Sequence, residues 1–243
     1  MIDRKSFFDA VRKALGALTQ PQVDGFTAIL DEFERRRHQV SIPDLAYMLA
    51  TAWWETGRTM QPVREAFYIG DFAKAEAWRK RNLRYYPFYG RGLVQLTWER
   101  NYRLAGQKLG QNFVSNPDLV MRMDLAVKIM FEGMLDGWFT GKALDDYIDD
   151  IDESDAEDLR EYTNARRIIN GTDKAATIGG LALKFERALR SADKAFPAPV
   201  PSPQTPVPAS PPPMPPDDPV PVPEPPQPAT SGFWARLWRW LFG

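Results

Sequence analysis

The amino-acid sequence predicts a mainly α-helical domain. Apolar residues recur at three- and four-residue intervals, no alternating run is long enough for a major sheet, and helix-start chemistry precedes an apolar stripe. A folding unit of about 195 residues can bury a core without disulfide or metal staples, and the chain contains no cysteine.

Phe7, Phe8, Val11, Leu15 and Leu18 define a first helix, and Val23, Phe26, Ile29, Leu30 and Phe33 a second. A third begins at Ser41, which can cap; Pro43 suits the first turn and Asp44 completes a box-like start. Its stripe runs through Leu45, Met48, Leu49, Ala52 and Trp53, and Gly57 supplies a stop. Residues 58–95 read as long irregular connections, and further helices are expected over 98–109, 123–139, 155–169 and 173–194. The acidic stretch from Asp145 through Asp158 lacks the glycine and ligand spacing of a helix-loop-helix calcium loop, so it reads as a solvated flank and no metal site is expected.

Most of the 22 prolines fall after residue 196. Residues 196–231 form a Pro-rich stretch that cannot bury a core and is expected to be a disordered, extended linker. At about 3.1 Å per residue, its reach is at most on the order of 100 Å. Beyond it, Phe233, Trp234, Arg236, Leu237, Trp238, Arg239, Trp240, Leu241 and Phe242 make a segment too short to span a bilayer. Tryptophan beside arginine on one face suits a membrane interface, and docking onto a partner protein is the alternative. The expected division is therefore a folded domain over 1–195, a linker over 196–231 and an amphipathic tail over 232–243.

Composition narrows the chemistry. Without cysteine there is no thiolate nucleophile, and the lone His38 lies in the charged run Glu34-Arg35-Arg36-Arg37-His38, so a Ser-His-Asp triad is hard to build. With 31 Lys and Arg against 32 Asp and Glu, the chain lacks the basic field of a general nucleic-acid binder. The first nine residues, Met1 to Asp9, mix charge with apolar groups and show no ordinary secretory signal. What remains for hydrolysis is carboxylate chemistry. Advancing 100 degrees per residue from Leu45 places Glu55 at the edge of the third helix's stripe, beside Trp53 and near the helix end. Partial burial and the negative end of the dipole both disfavour its ionised form, which suits a general acid. On spacing alone, a glutamate at a helix border is more often a surface residue.

Four segments in order are more specific: Ala52-Trp53-Trp54-Glu55-Thr56-Gly57, Tyr89 through Tyr102, Asn116-Pro117-Asp118-Leu119-Val120 and Arg167-Ile168-Ile169-Asn170-Gly171. Together they resemble glycoside hydrolase family 19, which includes chitinases and phage-type endolysins, over roughly residues 45–172. The resemblance implies a lysozyme-like, two-lobed helical fold with a glycan cleft. It also implies inverting hydrolysis of β-1,4 bonds between amino sugars without a cofactor. Glu55 matches the family's general acid in its His-Glu-Thr motif, with Trp54 where the histidine is usual. Thr97 matches the Ser or Thr that helps hold the attacking water, and Gln95 and Asn101 match polar positions facing the sugar. Asn170 matches the asparagine of the Ile-Asn-Gly motif, and Arg167 of that segment joins the expected substrate-binding set. Tyr85, Tyr86, Phe88 and Tyr89 precede the glycine-arginine-glycine turn, where they can line a sugar groove or simply pack.

An inverting enzyme places its two carboxyls about 6.5–9.5 Å apart. Glu65 is the choice for the second, with Asp71 and Glu76 as substitutes, and a surface pair between Glu65 and Arg64 or another arginine is its alternative role. The combined expectation is an endolysin-type peptidoglycan hydrolase. It is made in the bacterial cytoplasm, acts at the cell wall as a monomer, and touches the inner membrane through residues 233–243. A chitinase, a silent wall-binding tether and a membrane-permeabilising tail are the competing readings. The mechanism expects Glu55 to keep its proton and to point into an open groove, with an acid facing it across room for water.

Overall fold

The computed structural model describes residues 1–149, 151 and 154–194, so the expected linker and tail lie outside the described residues. Eight α-helices dominate the described residues: α1 (Arg4–Leu15), α2 (Gln20–Arg36), α3 (Ile42–Glu55), α4 (Phe72–Asn82), α5 (Glu99–Leu109), α6 (Met123–Leu135), α7 (Asp155–Ala165) and α8 (Ala175–Ala192). Among the described residues the only named strands are β1 (Val63–Arg64) and β2 (Arg91–Gly92), paired antiparallel with Val63 opposite Gly92 and Arg64 opposite Arg91. The mainly helical expectation therefore holds.

Local chemistry explains most of the boundaries. Ser41 Oγ accepts from the Asp44 N–H at 3.1 Å while Asp44 accepts from the Ser41 N–H at 3.0 Å, the reciprocal start expected for α3; such a cap contributes about 1 kcal/mol. The expected helix over 123–139 ends at Leu135, and that over 155–169 gives way after Ala165 to a 3-10 turn at Arg166–Ile168. Helix α4 corrects the reading of 58–95 as irregular. It buries only Ala75 and Arg79, so no apolar stripe announces it. Asp71 accepts from the Lys74 N–H at 2.7 Å at its start, and Arg79, Lys80 and Arg81 complement the dipole at its end.

Helix α3 is the centre of the core, with twelve of its fourteen residues buried. Helix α8 packs along it and also against α7 and α1. Phe26 stacks on Trp53 at 5.8 Å and meets Phe7 at 5.8 Å and Phe185 at 5.6 Å, tying α2, α3, α1 and α8 into one aromatic knot. Full burial of each such ring contributes roughly 1.5–3 kcal/mol. Close approach of α2 to the loop after α3 depends on Gly25, where a Cβ would stand 1.9 Å from the Met60 carbonyl oxygen. The folded ends meet, since Ile2 bridges Asp193 and the Asp3 N–H donates to Ala192 O at 2.7 Å.

Candidate functional site

Glu55 ends α3 and is 1% exposed. This corrects the expected position at the rim of a groove. A wheel drawn from α3 alone has an outer edge, but α8 packs along α3 and Arg166 closes over its last turn, leaving Glu55 enclosed. Arg166 Nη1 donates to Glu55 Oε1 at 2.7 Å, and Arg166 Nε donates to Asp173 O at 3.0 Å. Burial pushes the Glu55 carboxyl above its ordinary range, and the Arg166 cation and its hydrogen bond pull against that rise. The net direction is upward, as a proton donor requires, although the side chain is sealed and paired.

Glu65 follows β1 and is 5% exposed. Its backbone N–H donates to Gly90 O at 2.7 Å, and the returning Gly90 N–H donates to Glu65 Oε2 at 3.0 Å. The Tyr85 hydroxyl donates to Glu65 Oε1 at 2.8 Å. Burial raises this carboxyl too, while the Gly90 and Tyr85 donors and the charges of Arg79 and Arg91 oppose the rise. Arg64 pairs instead with Asp118 at 3.0 Å, so the simple neighbour pair considered for Glu65 does not form. The two substitutes have other work: Asp71 caps α4, and Glu76 pairs with Arg79 at 2.8 Å and accepts from the Tyr89 hydroxyl at 3.1 Å.

Between these carboxyl-bearing segments and α5 runs a tightly folded loop. Arg91 and Leu96 exchange backbone hydrogen bonds of 3.2 and 2.9 Å. Gln95 (φ 55°) and Trp98 (φ 73°) both adopt left-handed backbone without being glycine, at a cost of about 1–3 kcal/mol each. Thr97 Oγ1 donates to Gln95 O at 2.7 Å. Because a hydroxyl donates once and accepts twice, Thr97 retains acceptor capacity for water. Gln95 Nε2 donates to Val63 O at 3.1 Å and Gly92 O at 3.3 Å, and its buried Oε1 has no hydrogen-bond partner among the described residues. The amide that the resemblance turned toward sugar is thus bound to the β1–β2 backbone.

Four of the expected residues remain. Tyr89 is 2% exposed, its ring clamped between the guanidinium carbons of Arg91 at 3.6 Å and Arg79 at 4.7 Å. A groove-lining ring is not what this packing presents. Asn101 is buried in the first turn of α5, where its N–H donates to Trp98 O at 3.0 Å. Arg167 is exposed and donates to Asn164 Oδ1 at 2.6 Å. Asn170 is half-buried, with its N–H on Arg166 O at 3.0 Å. Among the described residues no cluster of three or more His, Asp or Glu side chains has the arrangement to hold a metal.

Arg166 is the residue that sequence reasoning missed. A signal existed: it lies four positions after the buried Tyr162 and beside the buried Ala165, on the inner side of α7. Arg91 was quoted only as part of a turn. It holds Asp118 Oδ1 at 2.9 Å and the Tyr102 hydroxyl at 3.0 Å, and so fastens β2 to the Asn116-Pro117-Asp118 segment and α5.

Residues 51–154 match the glycoside hydrolase family 19 model, described as chitinase class I. The chain is 34% identical over 97 residues to Chitinase 11 of Oryza sativa subsp. japonica, covering 36% of this chain and 37% of that protein. It is 67% identical over 33 residues to the acidic 27 kDa endochitinase of Solanum lycopersicum, covering 14% and 13%. It is 54% identical over 33 residues to inactive chitinase-like protein 1 of Hevea brasiliensis, covering 14% and 10%. The alignments thus span little more than a third of the first relative's length and far less of the other two. No solved structure matches the chain. Glu55, Glu65 and Thr97 all fall within residues 51–154, the span that is similar to glycoside hydrolase family 19.

Proposed function

We propose that this protein is an endolysin-type peptidoglycan hydrolase that cleaves β-1,4 bonds between wall amino sugars with inversion. The observation that carries this reading is a pair of desolvated carboxyls, Glu55 and Glu65, both raised by burial and both inside the span that matches the family. Glu55 gives its proton to the glycosidic oxygen. Water donates one hydrogen bond to Glu65 and one to Thr97 Oγ1, whose own proton rests on Gln95 O, which leaves a lone pair for the anomeric carbon. Glu65 takes the water's proton as the carbon–oxygen bond forms. Acid and base complete the reaction without a cofactor.

In this reading a lysozyme-like glycan cleft opens when the Arg166 segment yields to substrate. Losing the Arg166 cation removes the main influence holding the Glu55 pKa down, so entry of the glycan and protonation of the acid reinforce each other. Glu55→Gln is expected to fold normally and to release no new reducing ends from purified peptidoglycan; retained hydrolysis would reject the assignment. Parallel incubation with chitin oligomers, with products identified by mass spectrometry, separates wall from chitin specificity.

A second reading is favoured by one specific observation. Glu55 and Arg166 form a sealed ion pair, at 1% and 0% side-chain exposure, and such a pair can be purely architectural. One relative is itself named an inactive chitinase-like protein. The protein would then bind wall glycan as a tether, and wild type would sediment with peptidoglycan without raising reducing ends.

The reading also places the protein at the cell wall as a monomer, with residues 233–243 against the inner membrane. Deleting those residues is expected to leave soluble glycan hydrolysis intact and to reduce association with anionic vesicles. Loss of hydrolysis would instead make the tail part of the catalytic fold.

A further inference from the structure

Arg84 lies just beyond α4, and its guanidinium sits 5.0 Å from the centroid of the Trp98 ring. Four other arginines of this region are each engaged by an acid: Arg64 and Arg91 by Asp118, Arg79 by Glu76 and Arg166 by Glu55. Arg84 has no carboxylate partner among the described residues and is held by an aromatic face instead. Lys80 and Arg81 are also exposed, but they fall in the last turns of α4, where cations complement the helix dipole. That explanation does not reach Arg84.

Trp98 is 38% exposed, follows Thr97 directly and has the left-handed backbone described above. Its ring lies 4.9 Å from that of Tyr85, whose hydroxyl donates to Glu65. An unbroken line of contacts therefore joins a buried candidate base to an exposed, unpaired cation. Stacking fixes the plane of a guanidinium yet leaves its edge N–H donors free, and that edge matches a carboxylate in bidentate fashion.

We propose that Arg84, seated on Trp98, is a specificity-determining receptor for a carboxylate carried by the glycan. Wall glycan with free lactyl or peptide carboxylates satisfies this receptor, and a neutral polymer of N-acetylated sugar does not. The proposal rests on the hydrolase reading for its catalytic consequence, while its binding consequence stands alone.

The test compares wild type, Arg84→Gln and Arg84→Lys on three glycans: peptidoglycan with free stem carboxylates, the same material after carbodiimide amidation, and neutral chitin oligomers. Wild type is expected to bind free-acid wall about tenfold more tightly than amidated wall, read by co-sedimentation and by KM. Arg84→Gln should erase that preference with kcat unchanged. Arg84→Lys, a charge without the fork, should restore only part of it, and added salt should weaken wild type more than Arg84→Gln. The proposal is overturned if Arg84→Gln keeps the full preference, or if it weakens all three glycans equally. Should wild type release no reducing ends from any glycan, the hydrolase reading fails, and the sedimentation preference still decides the role of Arg84.

Discussion

Arg166 and Glu55 meet at 2.7 Å although 111 residues separate them in sequence, and the contact joins the end of α3 to the turn that follows α7. Neither charge has water to fall back on. Removing one partner from such a pair costs about 3–5 kcal/mol, because the other is left buried and uncompensated. Arg166→Leu is therefore expected to lower the urea unfolding free energy by about that amount, and Glu55→Gln, which keeps an amide oxygen for the same N–H, by less. Equal midpoints for Arg166→Leu and wild type would mean that the pair adds nothing to the fold.

Glu65 predicts a pH signature. Its folded pKa lies above the ordinary 4.5, chiefly through burial, so the folded chain holds this proton more tightly than the unfolded chain. The stabilisation is complete below the unfolded value and is lost as pH climbs through the folded one. Glu65→Gln, which mimics the protonated form, should flatten the fall in stability that begins above about pH 4.5. Melting temperatures measured across that window check it, and parallel curves for the two proteins would contradict it.

Tyr85 is expected to tune the same group. Its hydroxyl donation favours the carboxylate, so Tyr85→Phe should raise the Glu65 pKa further. A hydrogen bond to a charged group contributes about 1.5–3 kcal/mol, and its loss favours the protonated form. If Glu65 is the base, the acidic limb of kcat/KM moves to higher pH while activity on the alkaline side is kept. A uniform loss at all pH values would assign Tyr85 to packing alone.

Two glycines in helices should behave in opposite ways. A Cβ at Gly25 would stand 1.9 Å from Met60 O, whereas one at Gly180 in α8 meets nothing within 4 Å. Gly25→Ala is expected to destabilise by about 1–3 kcal/mol or more, and Gly180→Ala to stabilise by about 0.5–1 kcal/mol. Chemical denaturation of the two variants reads both signs, and a stable Gly25→Ala would mean that the α2 approach to Met60 is looser than described.

Helices with an apolar stripe were legible in the sequence, and so was the start of α3, because capping is local chemistry. Helix α4 was not, since its ends are set by Asp71 and a basic last turn while its middle buries little. Glu55 and Thr97 were singled out by motif and Glu65 by its place shortly after the acid, but their environments were not legible. The enclosure of Glu55 comes from α8 and Arg166, which lie more than a hundred residues away in sequence. The clamping of Tyr89 between Arg79 and Arg91 likewise depends on α4, the element left unseen. Periodicity describes one element at a time, and these sites are built where several elements close on one another.

The span matching the family ends at residue 154, yet the cation that neutralises Glu55 stands at 166 and the helix covering α3 runs from 175 to 192. An expression fragment trimmed to the recognised boundary would carry the proposed acid with neither its counter-ion nor its roof. Such a piece should be insoluble or molten, and a negative assay on it would say nothing about the whole chain; the shortest fragment worth purifying reaches Asp193, whose bridge to Ile2 fastens the two ends.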